Sequence, residues 1–160
     1  MQQNDEMTSF GGPVGGLLGS MAGLRPVVAD VRLVSLPTRQ VLRAGHDADP
    51  SPNRELVIVA VETADGTVGW GECSALNRPT YTDEWAGGAY SAYRSALGSS
   101  SGATPFADVA AALHGMPMAQ AGWEMAWLDL ALRSGDGVDG SPPRSLAGFL
   151  GVIRSSVPAG

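Results

Sequence analysis

The sequence LVIVAVETADGTVGWGEC, at residues 56–73, predicts a β-hairpin. Its first half is a run of β-branched and small apolar residues, and its second half alternates glycine with larger side chains. Both patterns are typical of half-buried strands. Asp65 and Gly66 lie between the halves, and this pair favours a tight hairpin turn with positive φ. We therefore expect strands at Leu56–Thr63 and Val68–Cys73.

A further strand precedes the hairpin. Val27–Leu36 alternates in polarity, is rich in β-branched residues and stops at Pro37. Residues 38–53, which connect it to the hairpin, are polar and longer than an ordinary connection. The three strands should form an antiparallel meander, and the long connection is a candidate functional loop.

Helical periodicity replaces strand periodicity after the hairpin. Thr82 is suited to cap a helix whose first turn would contain Asp83 and Glu84, because acidic groups favour a helix N-terminus. Thr104 followed by proline predicts the start of a second helix, which ends at Gly115. Its apolar residues recur with helical spacing at Phe106, Val109, Ala110 and Leu113.

A third helix is predicted over Pro117–Arg133, and it is apolar nearly all round. One side carries a stripe made of Met118, Ala121, Met125, Leu128 and Leu132, and most of the rest is covered by residues that include Trp123 and Trp127. Such a helix has to be covered on two sides, whereas the predicted sheet and helices suffice for one. Either a part of the fold is missing from this chain or a partner covers the second side. In a stand-alone module, an unpaired surface formed by Trp123 and Trp127 would make the chain associate.

Length and composition suit one domain. The order of the predicted elements makes it α+β, a three-stranded antiparallel meander followed by a helical bundle. The chain has 160 residues, of which 44% are hydrophobic and 16% charged, enough for one core. The formal charge of -6 argues against a nucleic-acid partner. All basic residues are arginine, so the chain has no lysine for a base or a Schiff base.

The two ends differ from the middle of the chain. Residues 1–25 are glycine-rich without periodicity, and we expect a disordered N-terminal extension there. A short amphipathic helix is predicted at Ser145–Leu150. The first residues are acidic, where a secretory signal would be basic, and no apolar run is long enough for a membrane helix. A cytoplasmic protein without a membrane partner is expected.

Cysteine and histidine offer little for chemistry. The single Cys73 excludes an internal disulfide, and the two histidines are too widely spaced for a zinc site. A small hydrolase that uses Cys73 with His114 or His46 is an alternative, but no spacing supports the pair. Cys73 is better interpreted as a small buried hydrophobe. Glu124 and Asp129 would lie on different faces of the third helix, and we expect them to bind backbone or arginine rather than metal.

Three segments, in their order and spacing, resemble the N-terminal capping domain of the enolase superfamily, in the mandelate racemase/muconate lactonizing enzyme branch. They are the hairpin at residues 59–72, the tract Pro79-Thr80-Tyr81-Thr82-Asp83-Glu84, and the helical segment at residues 118–130. Within that branch the chain looks most like o-succinylbenzoate synthases and N-acylamino acid racemases.

The resemblance implies a capping domain at residues 26–153 and the start of a β/α barrel at 154–160. In the superfamily the barrel holds a divalent metal such as Mg²⁺, which stabilises the anion formed when a proton is removed beside a carboxylate, and its lysines act as acid and base. The chain lacks both the barrel and the lysines, so it is expected to be an inactive lid with no catalytic or metal-binding residue of its own. The parent enzyme would dehydrate o-succinylbenzoate precursors, as in menaquinone biosynthesis, or racemise N-acylamino acids. The alternative is a stand-alone binding module of the same fold.

The resemblance implies that two loops meet the substrate of the parent enzyme. They correspond to residues 38–47 and 73–82. The candidate lid residues are Arg39, Arg43, His46, Asn77 and Tyr81 in the loops and Glu72 at the end of the return strand. The arginines and the histidine would face an anionic substrate tail or gate access as the lid closes. The alternatives are a solvated polar loop for the first loop and a structural hydrogen bond for Glu72. Gly69 and Gly71 would permit close packing or a bulge.

Overall fold

The computed structural model describes residues 23–39, 51–80, 82–98 and 106–134. It contains a three-stranded sheet and three helices, the α+β architecture expected from the sequence. The strands are β1 (Pro26–Pro37), β2 (Asn53–Thr63) and β3 (Val68–Cys73), and the helices are α1 (Ala86–Gly98), α2 (Phe106–Ala112) and α3 (Pro117–Arg133). Residues Arg25–Leu130 form one compact unit, which holds all of these elements except the last turn of α3.

The sheet is an antiparallel meander with the order β1-β2-β3. Val59 pairs with Val31 on one side and with Gly71 on the other, so all three strands are in register at this point. The predicted bounds of β1 differ by one residue at each end and those of β3 are confirmed. β2 begins at Asn53, three residues before the expected Leu56, because the polar residues at its start still pair with the end of β1.

The hairpin turn uses one residue with positive φ. Gly66 has φ 84°, whereas Asp65 has negative φ. The Gly66 N–H donates to the Thr63 carbonyl at 2.9 Å, and the Thr63 N–H donates to the Thr67 carbonyl at 3.0 Å. This is a three-residue loop with a left-handed glycine, not the two-residue turn that requires two positive φ values. Hydrogen bonds from Thr63 and Thr67 hold the pKa of the Asp65 carboxyl below its ordinary value of 3.8.

One face of the sheet forms the core with the helices. Alternate residues of β2 and β3 are buried on this face, as the two-residue period of a strand requires: Val57, Val59, Val61, Gly69, Gly71 and Cys73. Trp70 and Glu72 lie on the opposite face, where both are exposed. The core continues into the helices through large side chains that include Tyr93, Leu113 and Trp123.

Glycines let β3 and α3 approach until their backbones touch. A Cβ atom added to Gly71 would lie 2.0 Å from the Gly122 carbonyl oxygen, and one added to Gly69 would lie 2.2 Å from the Ala126 carbonyl oxygen. No real Cβ atom sits that close, so the contact requires glycine. The close packing expected for Gly69 and Gly71 is confirmed.

Helix α3 has the predicted bounds and is covered on one side by the described residues. Trp123 and Trp127 are both buried, so the expected association surface formed by these two residues is wrong. Both contact α2, since the Trp123 Nε1 donates to the Phe106 carbonyl and the Trp127 ring meets the Phe106 ring edge to face. The opposite side carries the open stripe, which we define as Ala121, Met125 and Leu128; the first two are exposed and the third is half-buried.

Helix α1 begins at Ala86, and the prediction that Thr82 caps it is wrong. The segment before it is held in another conformation, since Leu76 and Trp85 form a parallel bridge and the Glu84 carboxylate binds a different helix. Helix α2 ends at Ala112, before the end expected at Gly115, and Val109 is its buried residue. Gly115, with φ 82°, lies in the turn that follows. The expectations for residues 1–22, Thr104, Pro105, Ser145–Leu150 and 154–160 lie outside the described residues.

Candidate functional site

The two loops predicted to meet a substrate leave the sheet at the same end. β1 ends at Pro37, β2 begins at Asn53 and β3 ends at Cys73, and β2 lies between the other two strands. We call this the loop end of the sheet. The first loop connects β1 to β2, and the second loop, Ser74–Trp85, connects β3 to α1.

The first loop is closed at its base by one threonine. Thr38 donates to the Pro52 carbonyl through its N–H at 3.0 Å and through its Oγ1 at 2.9 Å. Arg39 follows directly and its side chain is exposed. Both strands therefore fix the point from which Arg39 projects.

The second loop is attached to β2 at its start. Arg54 donates to the Ala75 carbonyl at 3.0 Å and also to the Ser74 carbonyl. The Asn77 Oδ1 accepts the Glu55 N–H at 2.9 Å, and its Nδ2 donates to the Asn53 carbonyl at 2.8 Å. Asn77 thus pairs with β2 much as another strand residue would.

The second loop is attached to α3 at its other end. The Ala86 N–H donates to the Leu76 carbonyl at 2.8 Å and closes the loop. The Glu84 carboxylate accepts the Met118 N–H at 2.8 Å and the Ala119 N–H at 3.0 Å. Arg78, Pro79 and Thr80 lie between these attachments and are exposed, and we call these three residues the tip of the loop.

Three of the six candidate lid residues lie among the described residues, all at the loop end of the sheet. Arg39 is exposed, Glu72 is exposed and accepts a hydrogen bond from the Ser74 hydroxyl, and Asn77 uses both ends of its amide on backbone groups. Substrate contact by these residues stays a prediction. The other three candidates, Arg43, His46 and Tyr81, lie outside the described residues.

Cys73 is built into the core rather than into a reactive site. Its side chain is fully buried, and burial raises the pKa of the thiol above its ordinary value of 9.0. A thiolate nucleophile needs the opposite shift. Nearby Tyr93 is also buried, its pKa is raised by burial, and its hydroxyl donates to the Ala119 carbonyl. The hydrolase alternative therefore gains no support.

Asp129 of α3 binds a backbone group, as expected. Its Oδ2 accepts the Trp70 N–H at 2.9 Å, on the edge of β3 that faces away from β2. Within the four described ranges, no three His, Cys, Asp or Glu side chains come together as ligands for a metal ion. The same ranges contain no helix with the length and apolar character needed to cross a membrane.

Sequence reasoning missed two residues of this site. Arg54 follows the long polar loop, and nothing in its local pattern marks it as an attachment point. Glu84 was expected in the first turn of a helix. It does bind helix N-terminal amides, but those of α3 instead of its own helix. Both contacts join residues more than twenty positions apart, which local patterns do not reveal.

Known proteins resemble this chain in sequence and in fold. The chain is 34% identical over 113 residues to an N-succinylamino acid racemase from Amycolatopsis, a match that covers 67% of this chain. A mandelate racemase/muconate lactonizing protein from Herpetosiphon aurantiacus superposes with a TM-score of 0.54 at 25% identity over 69% of this chain. The chain belongs to the enolase superfamily, as an N-terminal capping domain of its mandelate racemase/muconate lactonizing enzyme branch. A second structure, from Roseovarius nubinhibens, agrees with this capping domain at a TM-score of 0.57 and 26% identity.

The capping domain is a part of each relative. The chain spans 28% of the racemase and 31% of each of the two solved chains. No protein-family model matches the chain.

Proposed function

We propose that this capping domain is the substrate-closing lid of an enzyme that removes a proton beside a carboxylate. The parent activity would be racemisation of an N-acylamino acid, or dehydration of the o-succinylbenzoate synthase type. The observation that carries the proposal is the 34% identity over 113 residues to an N-succinylamino acid racemase. As a lid the domain would exclude water and orient the substrate, and by itself it would be inactive.

The exposed Arg39 is the residue best suited to bind substrate among those described. Its guanidinium projects from the closed base of the first loop, at the loop end of the sheet. Arginine binds carboxylates through two parallel hydrogen bonds, and the proposed substrates all carry a carboxylate. The proposal assigns Arg39 to a carboxylate of the substrate, together with Arg43 and His46 of the same loop.

Metal chemistry would belong to the remainder of the enzyme. The Roseovarius nubinhibens relative has also been solved complexed with magnesium. The part of the capping domain that the structure describes offers no set of three ligands, so it does not fit a magnesium site. The residues of this domain are therefore given roles in binding and closure only.

The open stripe of α3 supports a covering partner. Met125 is 43% exposed and Ala121 is exposed, while the other side of the helix is packed against the sheet. A β/α barrel, corresponding to the part of the relatives that this chain does not span, is the partner that we propose. The same stripe would serve the second candidate function, a stand-alone binding module.

A chimera tests the lid function. The cap segment of the Amycolatopsis racemase would be replaced by this chain's capping domain, and racemisation of an N-succinylamino acid would be measured with Mg²⁺ present. We expect a folded chimera with racemase activity, and no turnover by this chain alone. A chimera that folds and binds Mg²⁺ but has no activity would reject the lid function for this substrate class. Turnover by the isolated chain would reject the inactive lid.

Arg39→Ala in the same chimera tests the substrate contact. Loss of a charge-assisted pair predicts a KM raised by about tenfold or more, with Arg94→Ala, on the exposed surface of α1, as the control. An unchanged KM would show that Arg39 does not bind the substrate and belongs to a solvated polar loop.

A further inference from the structure

Glu84 is buried, with 5% of the residue exposed. Among the described residues it is the one charged residue that is buried. A buried carboxylate is unfavourable unless hydrogen bonds replace the lost water. Here two backbone N–H groups do so, from Met118 at 2.8 Å and from Ala119 at 3.0 Å. The residue is therefore committed to this one contact.

The contact completes the N-terminus of α3. Met118 and Ala119 are the second and third residues of the helix, whose N–H groups have no acceptor within the helix. The residue before the helix is Met116, whose carbonyl accepts the Gln120 N–H but whose side chain is a poor acceptor. A distant carboxylate thus takes the place of a local cap, and the helix dipole favours its charge.

The contact also determines where the second loop lies. Glu84 is 34 positions before Met118, so the bonds tie the end of the loop to a helix of the core. Glu84 also holds Thr82, which lies two residues before it, because the Thr82 Oγ1 donates to the Glu84 carbonyl at 3.2 Å. The start of the loop is tied separately to β2 by Arg54 and Asn77.

We propose that Glu84 is a positioning residue for substrate binding, which fixes the tip of the second loop by fastening the end of that loop to the N-terminus of α3. This inference rests on the proposed lid function and extends it. The tip would be ordered before the substrate binds, so the free energy of binding would not be reduced by the entropy lost on ordering the loop. Asn77, expected to contact substrate, would share this positioning role.

Hydrogen exchange on the full chain tests the hold on the loop without any enzyme assay. Glu84→Ala should speed amide exchange in residues 74–83 and at Met118 and Ala119, while β1 and β2 keep their protection. Glu84→Gln keeps the shape and one acceptor oxygen, so it should give a smaller effect. Asp83→Ala removes the exposed neighbouring carboxylate and is the matched control, which should leave exchange unchanged.

Kinetics in the chimera test the consequence for substrate. Glu84→Ala should raise KM by about tenfold with kcat changed much less, because an ordering cost falls on binding. Glu84→Gln should recover part of the affinity. A fall in kcat at constant KM would overturn the proposal, and so would faster exchange confined to α3 with the loop unaffected.

The two proposals fail in different ways. A wild-type chimera without activity rejects the lid function. Hydrogen exchange on the isolated chain tests whether Glu84 orders the second loop, and this measurement does not depend on activity. If Glu84→Ala unfolds the chain, Glu84→Gln supplies the same comparison, and equal exchange in Glu84→Gln and the wild type would overturn the proposal.

Discussion

At the scale of single residues, the two tryptophans of α3 occupy neighbouring core positions with different polar surroundings. Their rings meet edge to face with centroids 5.9 Å apart. The Trp123 Nε1 donates to the Phe106 carbonyl at 3.0 Å. The Trp127 Nε1 is buried and has no hydrogen-bond partner in the described part of the chain. An unpaired buried donor is destabilising, so the two indoles contribute unequally.

Replacing each tryptophan by phenylalanine tests this difference. Trp123→Phe removes a hydrogen bond and part of the buried apolar volume. Trp127→Phe removes a similar volume together with an indole N–H that has no partner in the described part of the chain. We expect the free energy of unfolding to fall further for Trp123→Phe, by about 1 kcal/mol. Urea denaturation of both variants measures it, and an equal or larger loss for Trp127→Phe would contradict the expectation.

At the scale of elements, the contact of β3 with α3 is the least tolerant feature of the fold. Gly71→Ala would place a Cβ atom 2.0 Å from a carbonyl oxygen of α3. Backbone atoms cannot move aside as a flexible side chain can, so strand and helix would have to separate. We expect a loss of about 3 kcal/mol or more in the free energy of unfolding.

A glycine in open space is the control for this substitution. Gly98, the last residue of α1, has no heavy atom within 4 Å of an added Cβ. Gly98→Ala should leave stability unchanged or raise it by up to about 1 kcal/mol. Thermal unfolding of both variants gives the comparison, and a stable Gly71→Ala variant would show that the backbone contact is looser than described.

The elements also show how far local patterns reach. The hairpin and α3 were predicted because each repeats one period over many residues, and the turn was predicted because Asp-Gly suits left-handed backbone. The predicted start of α1 was wrong. The acidic residues after Thr82 do suit a helix N-terminus, but Glu84 binds the N-terminus of α3 and not that of α1. Of the candidate site, the position of both loops follows from the order of strands, whereas the attachments by Arg54 and Glu84 depend on long-range contacts.

At the scale of the whole molecule, stability should depend on pH in the alkaline range. Burial raises the pKa of Cys73 above 9.0 and that of Tyr93 above 10.0, so the fold favours the neutral form of both. Their contribution is fully present below about pH 9. It is lost as the pH rises further, since the unfolded chain ionises while the folded chain keeps its protons.

Urea unfolding at pH 8, 9 and 10 measures this dependence. The free energy of unfolding should decline from pH 9 upward, and Cys73→Ala should flatten the first part of the decline. A Cys73→Ala variant with the same slope as the wild type would assign the decline to other groups.

The open stripe gives a second prediction for the whole chain. Met125 is 43% exposed on an apolar helix face, so the isolated chain should self-associate as its concentration rises. Met125→Glu should shift the chain toward monomer in size-exclusion chromatography with light scattering. Leu36→Glu alters a similarly exposed apolar residue on β1 and should have no such effect. A wild-type chain that is monomeric at every concentration would contradict the prediction.

Only part of the whole-molecule prediction has been tested. The α+β fold and the family are confirmed by the structure and by the relatives. The boundaries at residues 25 and 153, the cytoplasmic location and the substrate stay predictions, because they depend on segments and partners beyond the described residues.

The attachments of the second loop bear on how enzymes of this kind can be redesigned. Residues 78–83 lie between Asn77 and Glu84, whose side chains bond to β2 and to α3. Within these six residues, Thr82 donates through its Oγ1 to the Glu84 carbonyl. A randomised library confined to these six positions would therefore sample new selectivities while the scaffold keeps its fastenings. The residues that select the substrate could therefore change at the loop end of the sheet without changing the residues that stabilise the fold.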